Sequence, residues 1–198
     1  MGINLVKGQN IDLRKPSANE NNGADYNLSS VTIGLGWDIS RGEKEYDLDA
    51  VAVLLDKNAK LASQGDVVYY GNPKHANGKV WSTGDNLTGA GEGDDEQLIV
   101  KLDELDAKYE RIAFFASIYQ GRSKGQHFGK VENAFIRAVD GNGKEIAKYN
   151  MSGDKSLDGK CSFVFAECYR KDGIWKMKAI GDAMDTDALL TVVESRYK

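Results

Sequence analysis

The chain has 198 residues, 41% hydrophobic and 28% charged, a composition that suits one globular domain spanning residues 1–198 and excludes wholesale disorder. Lys and Arg number 26 against 30 Asp and Glu, and the net charge of -4 speaks against a nucleic-acid binder, which needs a surplus of basic side chains. The longest apolar run, Ile112 to Ile118, is far short of a bilayer span, and the N-terminal MGINLVKGQN lacks the apolar centre of a secretory signal, so a cytoplasmic chain is expected.

In chain order, Val31 to Ile33, Ala50 to Leu55, Val67 to Tyr70, Leu98 to Leu102, Ile112 to Tyr119, Ala134 to Val139, Ser162 to Tyr169 and Trp175 to Ile180 are short runs rich in β-branched or aromatic residues. Turn chemistry separates them: Asp56-Lys57-Asn58, Asn77-Gly78, Asp140-Gly141-Asn142-Gly143 and Asp172-Gly173. With 22 glycines and 2 prolines, this pattern predicts an all-β sandwich of two mainly antiparallel sheets. Two accessory helices are expected. Leu102 to Tyr109 has apolar residues near helical spacing, and Asp185 to Ser195 offers Asp185 or Thr186 as N-cap with Leu189, Leu190 and Val193 on one face. Cys161 and Cys168 read as packed free thiols, since two cysteines make no disulfide framework.

The chemistry concentrates in TGDNLTGAGEGDDE, Thr83 to Glu96. Asp85, Glu92, Asp94, Asp95 and Glu96 lie within twelve positions, and no basic residue falls between Lys79 and Lys101. Carboxylates at that density raise one another's pKa, spread into water or hold a cation. Gly84, Gly89, Gly91 and Gly93 let the backbone turn sharply and aim carbonyl oxygens inward, as a hard cation with about 6–8 oxygen ligands requires. A second acidic group lies upstream: Asp47 and Asp49 have strand spacing and share one side of DLDAVAVLL, and Asp38 is placed to join them across a loop. A solvated acidic face and a divalent-cation site are both compatible with this pattern. If a cation binds, the all-oxygen donor set favours calcium over zinc, and the wealth of protein oxygens favours it over magnesium.

Other motifs carry less. Asp140-Gly-Asn-Gly-Lys-Glu lacks the sixth-position glycine and closing acid of an EF-hand and reads as a hairpin turn. GAGEG is followed by GDDE, which would repel the phosphates of a dinucleotide. His75 and His127 stand outside any catalytic motif, Trp37, Trp81 and Trp175 read as core supports, and no nucleophile is identifiable, so the chain is not expected to be an enzyme.

GLGWD (Gly34 to Asp38), DLDA (Asp47 to Ala50), TGDNLTGAGEGDDE, FGKVENAFIR (Phe128 to Arg137) and GIWKMKAIG (Gly173 to Gly181) together resemble the signature blocks of the TerD-like tellurite-resistance and stress-response proteins. The resemblance implies a calcium-binding β-sandwich with Asp38, Asp47, Asp49, Asp85, Asn86, Asp94, Asp95 and Glu96 as side-chain ligands and Gly89 and Gly91 as carbonyl ligands. It implies a calcium-dependent adaptor for other stress-response proteins, with a membrane-associated complex as one setting. A calcium-assisted binder of a small anionic ligand such as a cyclic nucleotide is the alternative. The polar stretch Asn19 to Asn27 is read as an inserted loop.

Overall fold

Alternation builds the sheets. Val31, Ile33 and Leu35 are fully buried and alternate with Thr32 and Gly34, while Leu98 and Val100 face the same interior from a neighbouring strand. The computed structural model describes residues 3–4, 10–11, 26–38, 45–89 and 93–198. Its strands are β1 (Ile3–Asn4), β2 (Asn10–Ile11), β3 (Val31–Gly36), β4 (Leu48–Leu55), β5 (Val67–Val68), β6 (Val80–Ser82), β7 (Glu96–Val100), β8 (Arg111–Ile118), β9 (Phe135–Asp140), β10 (Glu145–Asn150), β11 (Ser162–Lys171) and β12 (Ile174–Met184). They form two sheets, ordered β1-β10-β9-β3-β7-β6 and β2-β12-β11-β8-β4-β5. The pairings are antiparallel except β1 against β10. The chain is thus a mainly antiparallel all-β sandwich.

The second sheet is covered on both faces. Leu48, Ala50, Ala52 and Leu54 of β4 enter the core between the sheets, and Val51, Val53 and Leu55 enter a second cluster on the outer face. A short helix, α1 (Gly121–Lys124), follows β8, and the outer cluster is sealed by α2 (Leu189–Tyr197), whose Leu189, Val192, Val193 and Tyr197 are buried. Every residue of β4 is therefore buried, and its sequence reads as a continuous apolar run. No helix among the described residues is long and apolar enough to cross a membrane.

Two expectations are corrected. Residues 102–109 form no helix beyond a 3-10 turn at Leu102–Glu104, because Leu102, Leu105 and Tyr109 reach the core from an irregular path. The C-terminal helix begins at Leu189 rather than near Thr186, whose hydroxyl instead accepts a hydrogen bond from the Ala188 amide. The turns behave as expected. Asp172 and Gly173 both adopt positive φ, +55° and +75°, as a two-residue hairpin between β11 and β12 requires. Asp140 closes the β9–β10 hairpin by accepting from the amides of Asn142 and Lys144. Cys161 and Cys168 are free and buried. Most of the polar stretch Asn19 to Asn27 lies outside the described residues.

Candidate metal centre

At one end of the sandwich β3 and β8 finish, β4 begins, and residues 83–89 and 93–95 lie between β6 and β7. Antiparallel pairing brings these ends together. The Tyr119 amide, just after β8, donates to the Asp47 carbonyl just before β4 at 2.8 Å. Here Asp47, Asp49 and Asp85 converge, each with a carboxylate oxygen within 4.8 Å of the others. They line a pocket of 230 Å³ with Tyr70, Leu87 and Tyr119.

Carboxylate oxygens in the pocket lack hydrogen-bond partners among the described residues. Asp49 is only 3% exposed, yet its carboxylate accepts no hydrogen bond among the described residues. Oδ1 of Asp47 is buried and equally unpartnered. Burial, then the neighbouring Asp47 and Asp85, pushes the Asp49 carboxyl up to about 8 against the opposing charge of Lys124. Glu96 stands behind this group on the core side of β7. Its Oε2 accepts from the Ala50 amide of β4 at 2.7 Å, so it reaches from one sheet to the other. Burial, opposed by that amide and reinforced by Asp49 and Asp85, pushes Glu96 up to about 9. Four acids this close, with the charge of Lys124 opposing the shift of Asp47 and Asp49, are costly to ionise together. The donors are all oxygen and one carboxylate is buried and bare, so the residues fit a hard divalent cation.

Other expected ligands lie elsewhere. Asp94 turns onto the outer face of the first sheet, where its carboxylate accepts from Nε of Arg137 at 2.7 Å, from a second guanidinium nitrogen at 3.1 Å and from Gln97 Nε2 at 3.0 Å. It occupies the space over Gly34, where a Cβ would stand 2.2 Å from Oδ2. Asp95 shapes the loop: Oδ2 accepts from the Trp37 amide and Oδ1 from Asn86 Nδ2. Oδ1 of Asn86 in turn accepts from the amides of Thr88 and Gly89. Gly89 has φ of +72° and lies against the Trp37 indole, which leaves no room for a side chain. Asp38 accepts from Asn133 Nδ2 at 2.5 Å beside a separate pocket of 510 Å³ lined in part by Phe135, Lys148 and Asn150. Gly91 lies outside the described residues. Sequence reasoning missed Tyr70, Leu87 and Tyr119 at the mouth; a lone leucine inside the polar run GDNLTG was the available signal.

A TerD domain match covers residues 1–196, almost the whole chain. The chain belongs to the TerD family. Its relatives include tellurium resistance protein TerX of Serratia marcescens, 43% identical over 96% of this chain and 97% of the relative. General stress protein 16U of Bacillus subtilis is 40% identical over 91% and 90%. Among solved structures, a homologue of telluride resistance protein TerD from Streptomyces coelicolor superposes with a TM-score of 0.70 at 22% identity, covering 84% of this chain and 96% of that one. A second, of a protein of unknown function, gives 0.74 at 24% identity, with coverage of 86% and 98%. At these identities both bear on the TerD fold alone.

Proposed function

We propose that this TerD-family chain is a calcium-binding module of the cytoplasmic stress response, in which Asp47, Asp49 and Asp85 hold the ion and its occupancy controls docking onto other components. The observation that carries the reading is the convergence of Asp47, Asp49 and Asp85, with Asp49 buried and Oδ1 of Asp47 buried without a hydrogen-bond partner among the described residues. Bound calcium would supply the positive charge these acids lack and order the loop that contributes Asp85. Glu96 supports the group from behind, whereas Asn86, Gly89 and Asp95 set the loop's path and Asp94 anchors it to Arg137. This division of labour separates residues that are neighbours in sequence.

Calcium calorimetry on chelator-stripped protein tests it. Asp49→Asn and Asp85→Asn should each weaken calcium binding by tenfold or more on the order of a lost charged ligand, and Asp94→Asn should retain it. Wild type should also gain roughly 2.7 kcal/mol of stability with calcium at about 100 times its dissociation constant. Equal calcium affinity in Asp49→Asn and wild type would sink the proposal. For the adaptor role, partners captured with calcium should be lost with chelator and with Asp49→Asn, and retained by Asp94→Asn.

A further inference from the structure

The mouth of the acidic pocket is apolar. Of the four large hydrophobic side chains exposed among the described residues, three surround it: Tyr70 at 47%, Leu87 at 57% and Tyr119 at 37%. They come from three separate segments, following β5, within the β6–β7 crossing and following β8, so their meeting at one tip is a product of the fold. Tyr70 and Tyr119 pack edge to face, with centroids 5.6 Å apart, and Nζ of Lys124 sits 5.2 Å from the Tyr119 centroid. Lys124 also acts electrostatically on Asp47 and Asp49. The tip therefore sets an oxygen-rich floor inside a ring of two tyrosines and a leucine, with one cation at the edge.

We propose that this tip docks onto the surface of an anionic phospholipid bilayer, with a lipid phosphate oxygen completing the shell of the bound cation and Leu87, Tyr70 and Tyr119 entering the interfacial layer. The proposal rests on the cation site described above. Asp47, Asp49 and Asp85 would hold the cation, and three carboxylates would supply fewer oxygens than the about 6–8 a hard cation takes, so a further oxygen ligand would be needed. Tyrosine places an apolar ring and a polar tip at the depth where a bilayer changes from headgroup to acyl chain. Lys124 adds attraction to a phosphate. Three apolar side chains on a tip are far fewer than the roughly 20–30 residues a side of a stable protein interface, which favours a lipid surface over a folded partner. With a net charge of -4, the protein should be repelled by anionic lipid until the cation is bound, so docking should depend on calcium.

The test is co-sedimentation of the full chain with vesicles of phosphatidylglycerol and phosphatidylcholine, or phosphatidylcholine alone, in calcium or chelator, beside calcium calorimetry on the same samples. Wild type should pellet with the anionic vesicles in calcium only. Leu87→Ser combined with Tyr119→Ser should lower vesicle affinity by about tenfold or more, the scale expected from lost apolar burial, when each protein is compared at calcium concentrations that its own isotherm shows to be saturating. Ile174→Ser, at an exposed hydrophobic position on the β11–β12 hairpin, should behave as wild type. Calcium binding without vesicle binding would overturn the docking proposal and leave the cation site standing, whereas absence of calcium binding would overturn both. Two further results would also overturn docking. One is glycerol phosphate binding equally to wild type and the double variant, which would mark a site for small anions. The other is calcium-driven dimerisation without vesicles that the double variant lacks, which would mark a protein interface.

Discussion

Gly34 and Asp94 form a lock that neither residue type announces alone. The Asp94 carboxylate occupies the volume of a missing Cβ and from there pairs with Arg137, which lies opposite Gly34 in the β3–β9 register. Gly34→Ala should cost about 1–3 kcal/mol by forced overpacking. Much less of that cost should remain once Asp94→Ala has vacated the space, and a double-mutant cycle by urea denaturation reads the coupling. Additive effects would refute the lock. A second buried group is less visible in sequence. His75 Nδ1 accepts from the Asn77 amide, which leaves Nε2 to donate to Asp66 at 3.1 Å, while the Tyr109 hydroxyl donates to the same Asp66 oxygen at 2.5 Å. Burial alone would raise the Asp66 carboxyl, but hydrogen bonds from Tyr109, His75 and the Ser63 amide hold it below its usual value. A depressed folded-state pKa contributes stability above the unfolded value that disappears as pH falls through the folded one. Asp66→Asn should therefore destabilise by about 1–3 kcal/mol at neutral pH. The gap from wild type should narrow as pH drops below about 4. A gap that stays constant down the acid limb of a pH series of denaturation curves would show that Asp66 contributes by shape alone.

Among the elements, α2 is the seal on the second sheet. Tyr197 stacks edge to face on Phe115 at 6.2 Å, and Val193 is wholly buried beside Val51, Val53 and Val164. Tyr197→Ala should cost about 2–4 kcal/mol by cavity formation and leave the calcium isotherm unchanged, since the helix covers a face while the acids gather at an end. Denaturation and calorimetry on the same variant check both parts. The strands were legible because alternation, or an unbroken apolar run in β4, is local information. The start of α2 was not, because Thr186 and Asp187 satisfy their neighbours in a turn before the helix begins. The Leu102 to Tyr109 segment misled for a similar reason: its apolar spacing satisfies the core without a helix. In the site, the residue types were readable but their sorting was not. Asp85 and Asp94 share one loop, and a guanidinium on β9, the Gln97 amide and a glycine on β3 hold Asp94 on the outside of the sheet while Asp85 faces the acidic pocket.

At the scale of the whole molecule, the two sheets meet at the acidic end through a side chain as well as through packing. β5 pairs with β4 only at Ala52 and Val53, so among the described residues the start of β4 has no neighbouring strand on that flank. The Glu96 carboxylate takes the Ala50 amide that such a strand would have taken. An open edge is a template for another chain, and proteins suppress it with charge or cover. Glu96 supplies the cover. Replacing it with alanine should leave a backbone donor free at the margin of an apolar strand. The expected result is concentration-dependent self-assembly on mild warming, followed by light scattering and by growth of amyloid-dye fluorescence, with Glu96→Gln far less prone because its amide oxygen still accepts. A glutamate that backs the acidic pocket would then also be what keeps the chain from adding to itself.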